Sequence, residues 1–368
     1  MFEANHINKL KKNVIGKLLR SDRFIIFIIC FFVWITTILF FQFSAYPWVS
    51  FVILFIAIYF FVTNQFKIIP VSKIIEDIYN EIFFSGKTLN DLPNTPVMAI
   101  NSTNLETGRQ FTFSKHRMGD STYDYPPTGA PIKFSTDHFP IARAVMASSS
   151  VPFLFTPVKI DRKFYINKND VASARPELVD GGVFDNQGLH KLNHGKSGYE
   201  CNYIIVSDAG NKMLPQSNFK NGHTLLMRCM NLFMNRIKKF EMTDNLYNNV
   251  ILKKKQIAYI SLGWELENCI SGFIDNLQVN QILPDVIAAH NITPNMLNPF
   301  DRLKIETHLK SITGYDSLFK QKDNKTEIAR QVGTNLTSLS NEKIHALINH
   351  SELMTELQIR LYCPGLYP

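Results

Sequence analysis

The chain has 368 residues, of which 45% are hydrophobic, 19% charged and 12% aromatic. With no low-complexity tract and no repeat at solenoid spacing, this composition predicts a folded protein of one large or two modest domains. The formal net charge of +8 suggests an anionic partner. Because the first basic residues lie beside an apolar block, and no zinc-finger or helix-turn-helix pattern accompanies them, the sequence favours a membrane surface over nucleic acid.

The apolar block is the first element in the chain. Residues 24–66 contain no Asp, Glu, Lys, Arg or His, and this length allows two passes of roughly 20 residues each through a bilayer. The predicted elements are transmembrane helices at about 24–43 and 46–62, joined by a turn at 44–47, with Tyr46 and Trp48 at the interface. A buried helical hairpin of a soluble protein is the alternative. A signal peptide is not indicated, because no small-residue cleavage site is present and a second apolar run follows.

Basic residues flank this block on both sides and set its orientation. Residues 1–23 carry six Lys and Arg within Lys9–Arg23, and Lys67 and Lys73 follow the block. By the positive-inside tendency, both termini and the remainder of the chain are expected in the cytoplasm. The predicted domains are a basic segment (1–23), a transmembrane hairpin (24–66) and an α/β domain (67–368). Five cysteines without CxxC spacing indicate neither a disulfide framework nor a zinc site.

The region after the block has alternating strand and helix signals. The predicted elements are a hairpin of strands at 96–101 and 110–113, a surface loop at 115–137, a helix at 140–148, a buried strand at 203–208, a helix at about 225–240, and mainly helices from Pro299, the last starting at Ser340. This order predicts a soluble α/β unit.

An aspartate and two glycines follow an apolar run in the segment Val179–Gly188. Glycine lets a backbone turn tightly with positive φ beside a substrate, and a carboxylate on such a turn can reach a serine hydroxyl as a general base. The candidate base is therefore Asp180, with Gly181 and Gly182 shaping the turn. An ordinary turn aspartate is the alternative.

Three ordered blocks, Asn101–Gly108, Ala142–Val158 and Val179–Gly188, together resemble the C-terminal half of the patatin-like phospholipases. The resemblance runs from about Ile75 to about Gly210, with a weaker continuation at Thr334–Thr337. It implies an incomplete three-layer α/β/α lipid acyl hydrolase that uses a serine-aspartate dyad, with Asp180 as the catalytic aspartate. It also implies a membrane lipid, such as a phospholipid or another acyl ester, as substrate, and no metal or organic cofactor.

The chain departs from the family pattern in one respect. Patatin-like enzymes carry a glycine-rich oxyanion loop and a GxSxG nucleophile elbow ahead of the region that matches here, and neither motif occurs in these 368 residues. The expectation is that the serine comes from an upstream polypeptide. An inactive membrane-anchored module or a truncated gene product is the alternative.

Serines within the chain are weaker candidates. Ser148, Ser149 and Ser150 lie between a small-residue helix and Pro152 without flanking glycines, whereas a nucleophile elbow requires them. Gly119-Asp120-Ser121 is similar to the start of the GDS-type esterases but lies in a polar loop, so a soluble-ester hydrolase that uses Ser121 is a weaker alternative.

Other polar residues fit structural roles better than functional ones. His190 and His194 have the i, i+4 spacing of a metal pair but lack the HExxH pattern. The segment 195–198 is similar to the end of a phosphate loop but lacks its first glycine. Asp185 and Asp208 are interpreted as a turn carboxylate and a helix cap.

Overall fold

A computed structural model describes residues 4–193, 198–210, 215, 217–247, 249, 255–323, 325–333 and 339–367. The chain divides into two compact units, Met1–Phe184 (unit 1) and Asp185–Pro368 (unit 2). Each unit mixes helices and strands, which confirms the α/β class predicted from the sequence. His194, most of the segment 195–198 and Thr334–Thr337 lie outside the described residues.

Unit 1 contains an apolar helix pair, a sheet and the helices that cover the sheet. Its elements are α1 (Ala4–Leu19), α2 (Asp22–Gln42), α3 (Trp48–Ile68), α4 (Val71–Tyr79), β1 (Ala99–Asn104), β2 (Arg109–Ser114), β3 (Met118–Gly119), α5 (Ser121–Asp124), α6 (Ile141–Ser148), β4 (Val158–Lys159) and β5 (Glu177–Val179). A π-helical turn, Asn80–Phe84, continues α4.

Helices α2 and α3 pack against each other as an antiparallel pair across the predicted turn. Aromatic contacts line the pair: the ring centroids of Phe27 and Phe61 are 5.5 Å apart, and Trp34 meets Phe60 edge-on at 6.0 Å. Both helices are long and apolar enough to cross a bilayer. Almost none of their side chains is buried, so they are not the core of unit 1.

The sheet of unit 1 is antiparallel, in the order β3-β2-β1-β5-β4. β1 and β2 form the expected hairpin, in which Asn104 pairs with Arg109. β5 pairs with the other edge of β1, so that Thr103 lies opposite Val179. The end of β5, where the candidate base lies, is therefore next to the central strand of the sheet.

One face of this sheet and helix α6 form the core of unit 1. Phe111, Phe113 and Leu178 from the strands pack with Ala144 and Met146 from α6. Small residues in α6 allow its close approach to β1, because packed interiors leave few voids. The predicted helix at 140–148 is confirmed as α6.

A buried ion pair joins α4 to α6. The Arg143 Nε lies 3.1 Å from the Glu76 Oε1, with side chains 12% and 8% exposed. Glu76 also accepts from Lys73 at 2.9 Å, and Arg143 reaches Asp161 at 2.5 Å. Because α4 begins three residues after α3 ends, this ion pair fixes the apolar helix pair to the α/β core.

The segment 115–137 was predicted to be a surface loop, and that prediction is wrong in part. It contains β3 and α5, and Met118, Tyr123 and Phe134 are buried in the core of unit 1. The prediction rested on the Pro, Gly and Ser content of the segment. Three of its apolar side chains nevertheless anchor it to the core of unit 1. Burial of each such side chain stabilises the fold by about 1.5–3 kcal/mol.

Unit 2 is mainly helical around two parallel strands. Its elements are α7 (Leu189–Asn193), β6 (Tyr203–Asp208), α8 (Gly222–Tyr247), β7 (Gln256–Ser261), α9 (Glu267–Gln278), α10 (Pro284–Ala289), α11 (Pro294–Leu297), α12 (Arg302–Thr313), α13 (Tyr315–Lys320), α14 (Thr326–Arg330) and α15 (Asn341–Tyr362). β6 and β7 pair in parallel. The Ser340 side chain caps α15 by accepting from the Lys343 N–H, as the sequence predicts.

We expect Arg143→Met to destabilise unit 1 by about 3 kcal/mol, because it leaves Glu76 largely buried without its guanidinium partner. Arg117→Met is the matched control, since Arg117 pairs with Asp124 while 59% exposed, and its loss should cost less than about 1 kcal/mol. Thermal unfolding of both variants in detergent micelles measures the difference. Equal losses for the two variants would show that the buried pair does not hold α4 to α6.

Candidate functional site

Main-chain hydrogen bonds hold Asp180 at the end of β5. Its N–H donates to the Ser150 carbonyl at 2.9 Å, and its own carbonyl accepts from the Thr103 hydroxyl at 2.8 Å. The residue opens a 3-10 turn, Gly181–Val183, and its Oδ1 accepts from the Gly182 N–H at 2.7 Å. The position of its carboxylate is therefore set by β1, by the end of α6 and by its own turn.

The carboxyl group of Asp180 lies in a half-buried environment. Burial raises its pKa above the ordinary value, and the hydrogen bond from Gly182 opposes only part of that effect. Desolvation disfavours the charged form of a carboxyl group. A base with a raised pKa binds a proton more strongly, which is the direction that general-base catalysis near neutral pH requires.

The two glycines after Asp180 do not have the predicted backbone conformation. Neither Gly181 nor Gly182 has a positive φ, so the expected left-handed turn is wrong. A Cβ on Gly181 would lie 2.7 Å from the Asn101 carbonyl oxygen and 3.7 Å from the Ser102 Cα. Glycine is needed at 181 because the turn packs directly on the β1 backbone, where no side chain fits. Gly188 is the residue in the Val179–Gly188 segment with a positive φ, of 70°.

Ser148 is the last residue of α6, and the two serines that follow it have structural contacts. Ser149 ends the helix and donates to the Val145 carbonyl at 2.9 Å. Ser150 is fully buried, and its hydroxyl donates to the Thr156 carbonyl at 3.0 Å. The structure joins Ser150 to Asp180 through main-chain atoms, so the described contacts do not place the Ser150 hydroxyl on the Asp180 carboxylate.

Asp120 of the GDS-like tripeptide is a structural residue. It is buried, and it caps α5 by accepting from the N–H groups of Thr122 and Tyr123. Its other oxygen accepts from Asn104 at 2.8 Å and Thr107 at 2.7 Å. Ser121 is exposed at the first position of α5. This arrangement links the β1–β2 hairpin to α5 and accounts for the tripeptide without catalysis.

Two further aspartates lie in unit 2. Asp185 accepts from the N–H groups of Gln187, Gly188 and His190, which confirms a turn carboxylate. Burial first, then the charge of Asp185 and a hydrogen bond to it, raise the pKa of Glu241 to about 8. The raised pKa of Glu241 favours its protonated form beside the Asp185 carboxylate.

Asp208 was predicted to be a helix cap, and that prediction is wrong. It ends β6 and accepts from the Gly210 N–H at 2.9 Å and the Tyr259 hydroxyl at 3.0 Å. Lys238 of α8 lies 2.5 Å from its Oδ2. The side chain is buried, so these partners offset its desolvation.

Two polar residues that contact Ser150, namely Ser72 and Thr156, were not predicted from the sequence. Ser72, at the start of α4, donates to the Thr156 carbonyl, and its N–H donates to the Thr156 hydroxyl at 3.3 Å. Its hydroxyl lies 3.5 Å from that of Ser150. These contacts join residues more than 70 positions apart, so no local pattern in the sequence reveals them.

The comparison with protein families agrees with this geometry. The family model for patatin-like phospholipases matches residues 55–192, a region that contains α4 to α6, β1 to β5 and Asp180. A comparison with curated proteins gives no significant match. The match covers 138 of the 368 residues, so the similarity is one of this region. Residues 55–192 of this chain are a patatin-like region, which confirms the resemblance inferred from the three sequence blocks.

We expect Gly181→Ala to destabilise unit 1 by about 1–3 kcal/mol, because its Cβ would overlap the Asn101 carbonyl and force the backbone apart. Gly16→Ala is the control, since a Cβ there meets no atom within 4 Å and lies in a helix. That control should be neutral or slightly stabilising. Thermal unfolding of the two variants in micelles tests the close approach, and an unchanged midpoint for Gly181→Ala would contradict it.

We also expect Asp180→Asn to be more stable than the parent at neutral pH. Folding raises the pKa of the carboxyl above its unfolded value, so the folded state binds the proton more tightly and the ionised group costs stability. Asparagine keeps an acceptor for the Gly182 N–H without that charge. The advantage should shrink as the pH falls through the raised pKa, because the parent then becomes neutral.

Thermal unfolding between about pH 7 and about pH 4 measures this difference. Asp137→Asn, at an exposed position that accepts from the Asn90 and Ser135 side chains, is the matched control and should show no such trend. A stability difference for Asp180→Asn that grows in acid would contradict the assigned sign.

Proposed function

We propose that this chain is the membrane-anchored, aspartate-bearing part of a lipid acyl hydrolase. The patatin-like region supports a lipid substrate. In this proposal Asp180 is the general base of a serine-aspartate dyad, and α2 and α3 anchor an incomplete three-layer α/β/α domain, residues 67–368, to the cytoplasmic face of a membrane.

The hydrogen bonding of the aspartates is the observation that carries the assignment of Asp180. An ionised carboxylate has about four acceptor sites. Asp120 uses its sites on four donors, and Asp185 accepts from three N–H groups. Asp180 accepts from Gly182 alone among the contacts of the described residues. It therefore keeps acceptor sites for the proton of a serine or water nucleophile.

The proposed mechanism has two acyl-transfer steps. A serine hydroxyl loses its proton to Asp180 as its oxygen attacks the ester carbonyl, and main-chain N–H groups stabilise the tetrahedral oxyanion. Collapse of this intermediate releases the alcohol, which takes the proton, and leaves an acyl-enzyme. Asp180 then deprotonates a water molecule that hydrolyses the acyl-enzyme and regenerates the serine. No metal or organic cofactor enters this scheme.

The serine is proposed to come from a polypeptide segment outside these 368 residues, which lack a GxSxG elbow. A catalytically inactive anchored module is the second candidate, and the same absence favours it. The contacts of Asp120 argue against a GDS-type esterase, because both of its oxygens bind donors of the fold.

The anchoring proposal follows from the exposure of the hairpin. Phe40, Phe43, Phe55 and Tyr59 are each more than two-thirds exposed. Transfer of such side chains from water into an apolar medium is favourable by about 1.5–3 kcal/mol each, which a bilayer provides for both helices at once.

We expect the purified chain alone to hydrolyse a chromogenic ester or a labelled phospholipid at no more than the background rate. A base without a nucleophile has no acyl-enzyme route, and loss of even one oxyanion donor costs on the order of 10²-fold to 10³-fold in rate. Activity should appear when a segment with a glycine-rich loop and GxSxG is fused or added.

In the reconstituted protein, Asp180→Asn should lower kcat by about 10²-fold to 10⁴-fold, whereas Asp137→Asn should leave it unchanged. If the unaltered chain is active alone and Asp180→Asn abolishes that activity, a nucleophile is present within it, and Ser121→Ala and Ser148→Ala would identify it. Full activity of Asp180→Asn in the reconstituted protein would remove Asp180 from the mechanism.

A further inference from the structure

A short apolar turn follows Ser150 in unit 1. We call residues 151–155 the apolar turn. The Leu154 and Phe155 N–H groups both donate to the Val151 carbonyl, at 3.3 and 3.1 Å, so its conformation is hydrogen-bonded. Phe155 packs against the core of unit 1, whereas Phe153 is 54% and Leu154 is 55% exposed.

The backbone of this turn holds the Phe153 and Leu154 side chains outward, although two effects make this arrangement unfavourable in free energy. Phe153 has a φ of 70°, a left-handed conformation that costs free energy in a bulky residue. Adjacent exposed phenylalanine and leucine side chains add the cost of apolar hydration. Strained residues cluster at ligand-binding and functional sites, and the exposed surface here is apolar.

Hydrogen bonds tie the apolar turn to the exit of α3. Thr156, the residue after the turn, accepts from Ser72 through its hydroxyl and its carbonyl. Ser72 lies four residues beyond Ile68, where α3 ends. Because consecutive Cα atoms are about 3.8 Å apart, the Leu154 Cα is within about 8 Å of that of Thr156, and the Ile68 Cα is within about 15 Å of that of Ser72. The apolar turn is thus bound, through Thr156, to a residue four positions beyond the end of an apolar helix.

Two lysines lie on either side of the connection between α3 and α4. Lys67 is exposed in the last turn of α3, and Lys73, which pairs with Glu76 and Asp77, is half-exposed at the start of α4. The anionic head groups of a bilayer attract exposed basic residues beside a transmembrane helix, as Lys67 would be.

We propose that the apolar turn inserts into the lipid bilayer interface beside the exit of α3 and forms a lipid-contacting surface next to the candidate base. The inference rests on the membrane anchoring in the proposed function. The hydrogen-bonded connection to the segment after α3 and the exposed Lys67 favour a lipid surface as its occupant.

This placement gives the turn a role in substrate access. Ser150, which immediately precedes it, accepts the Asp180 N–H through its carbonyl. A lipid that contacts the turn is therefore near the carboxylate without first leaving the membrane surface. Such a contact shortens the path of an acyl ester from the bilayer to the base.

Photo-cross-linking of the full chain in vesicles tests the inference. Benzoylphenylalanine replaces Leu154, and the vesicles contain phosphatidylcholine, phosphatidylglycerol and a fluorescent-tailed phospholipid. Leu105 is the matched control, a leucine 52% exposed in the β1–β2 turn, and Phe55 of α3, 69% exposed, reports the anchor. Circular dichroism confirms that each labelled chain is folded.

We expect lipid adducts at 154 and 55, with labelling at 154 several-fold above that at 105. Adducts at 55 together with equal labelling at 154 and 105 would overturn the inference and leave the anchor in place. An absence of adducts at all three positions would overturn the anchor and the inference together. Neither result bears on the assignment of Asp180, which the hydrolysis assays test separately.

Discussion

The carbonyl and hydroxyl of Ser150 form the contact on which the arrangement of unit 1 depends. The carbonyl accepts the Asp180 N–H, and the hydroxyl donates to Thr156, which is bound in turn by Ser72 at the start of α4. One buried residue thus joins the end of α6, the end of β5 and the helix that follows the apolar pair. Because Ser72, Ser150 and Thr156 are buried, each unmade hydrogen bond there would cost about 1–3 kcal/mol, which opposes separation of the three segments.

An ion pair strengthens the same connection between α4 and α6. Glu76 and Arg143 are buried between α4 and α6, where an apolar pair of similar volume would often be equally stable or more so. What an ion pair adds is direction, since a guanidinium and a carboxylate meet in few geometries. Together with Ser72, this pair fixes both the distance and the rotation of α4 relative to the core.

The sequence predicted those elements whose formation depends on neighbouring residues in the chain. The β1–β2 hairpin and α6 were found from alternation and small-residue spacing, and the apolar pair from its lack of charge. The roles of Gly181 and of residues 115–137 were not found. Gly181 is needed because the β1 backbone lies against it, and residue 101 is 80 positions away. Likewise, Met118 and Phe134 are buried by partners distant in sequence, although the residues around them are typical of an exposed loop.

The contacts of Asp180 differ from those of the buried aspartates of this chain. A buried carboxylate is tolerated when hydrogen bonds replace its lost hydration, and Asp208 meets this condition with a lysine, a tyrosine and an N–H group. Asp180 has one N–H donor and a raised pKa instead. Its main chain, not its carboxylate, supplies the contacts that hold it, through Ser150 and Thr103. Because the anchoring bonds spare the carboxylate oxygens, the residue can be fixed in place and still accept a proton, a combination that a fully paired aspartate does not offer.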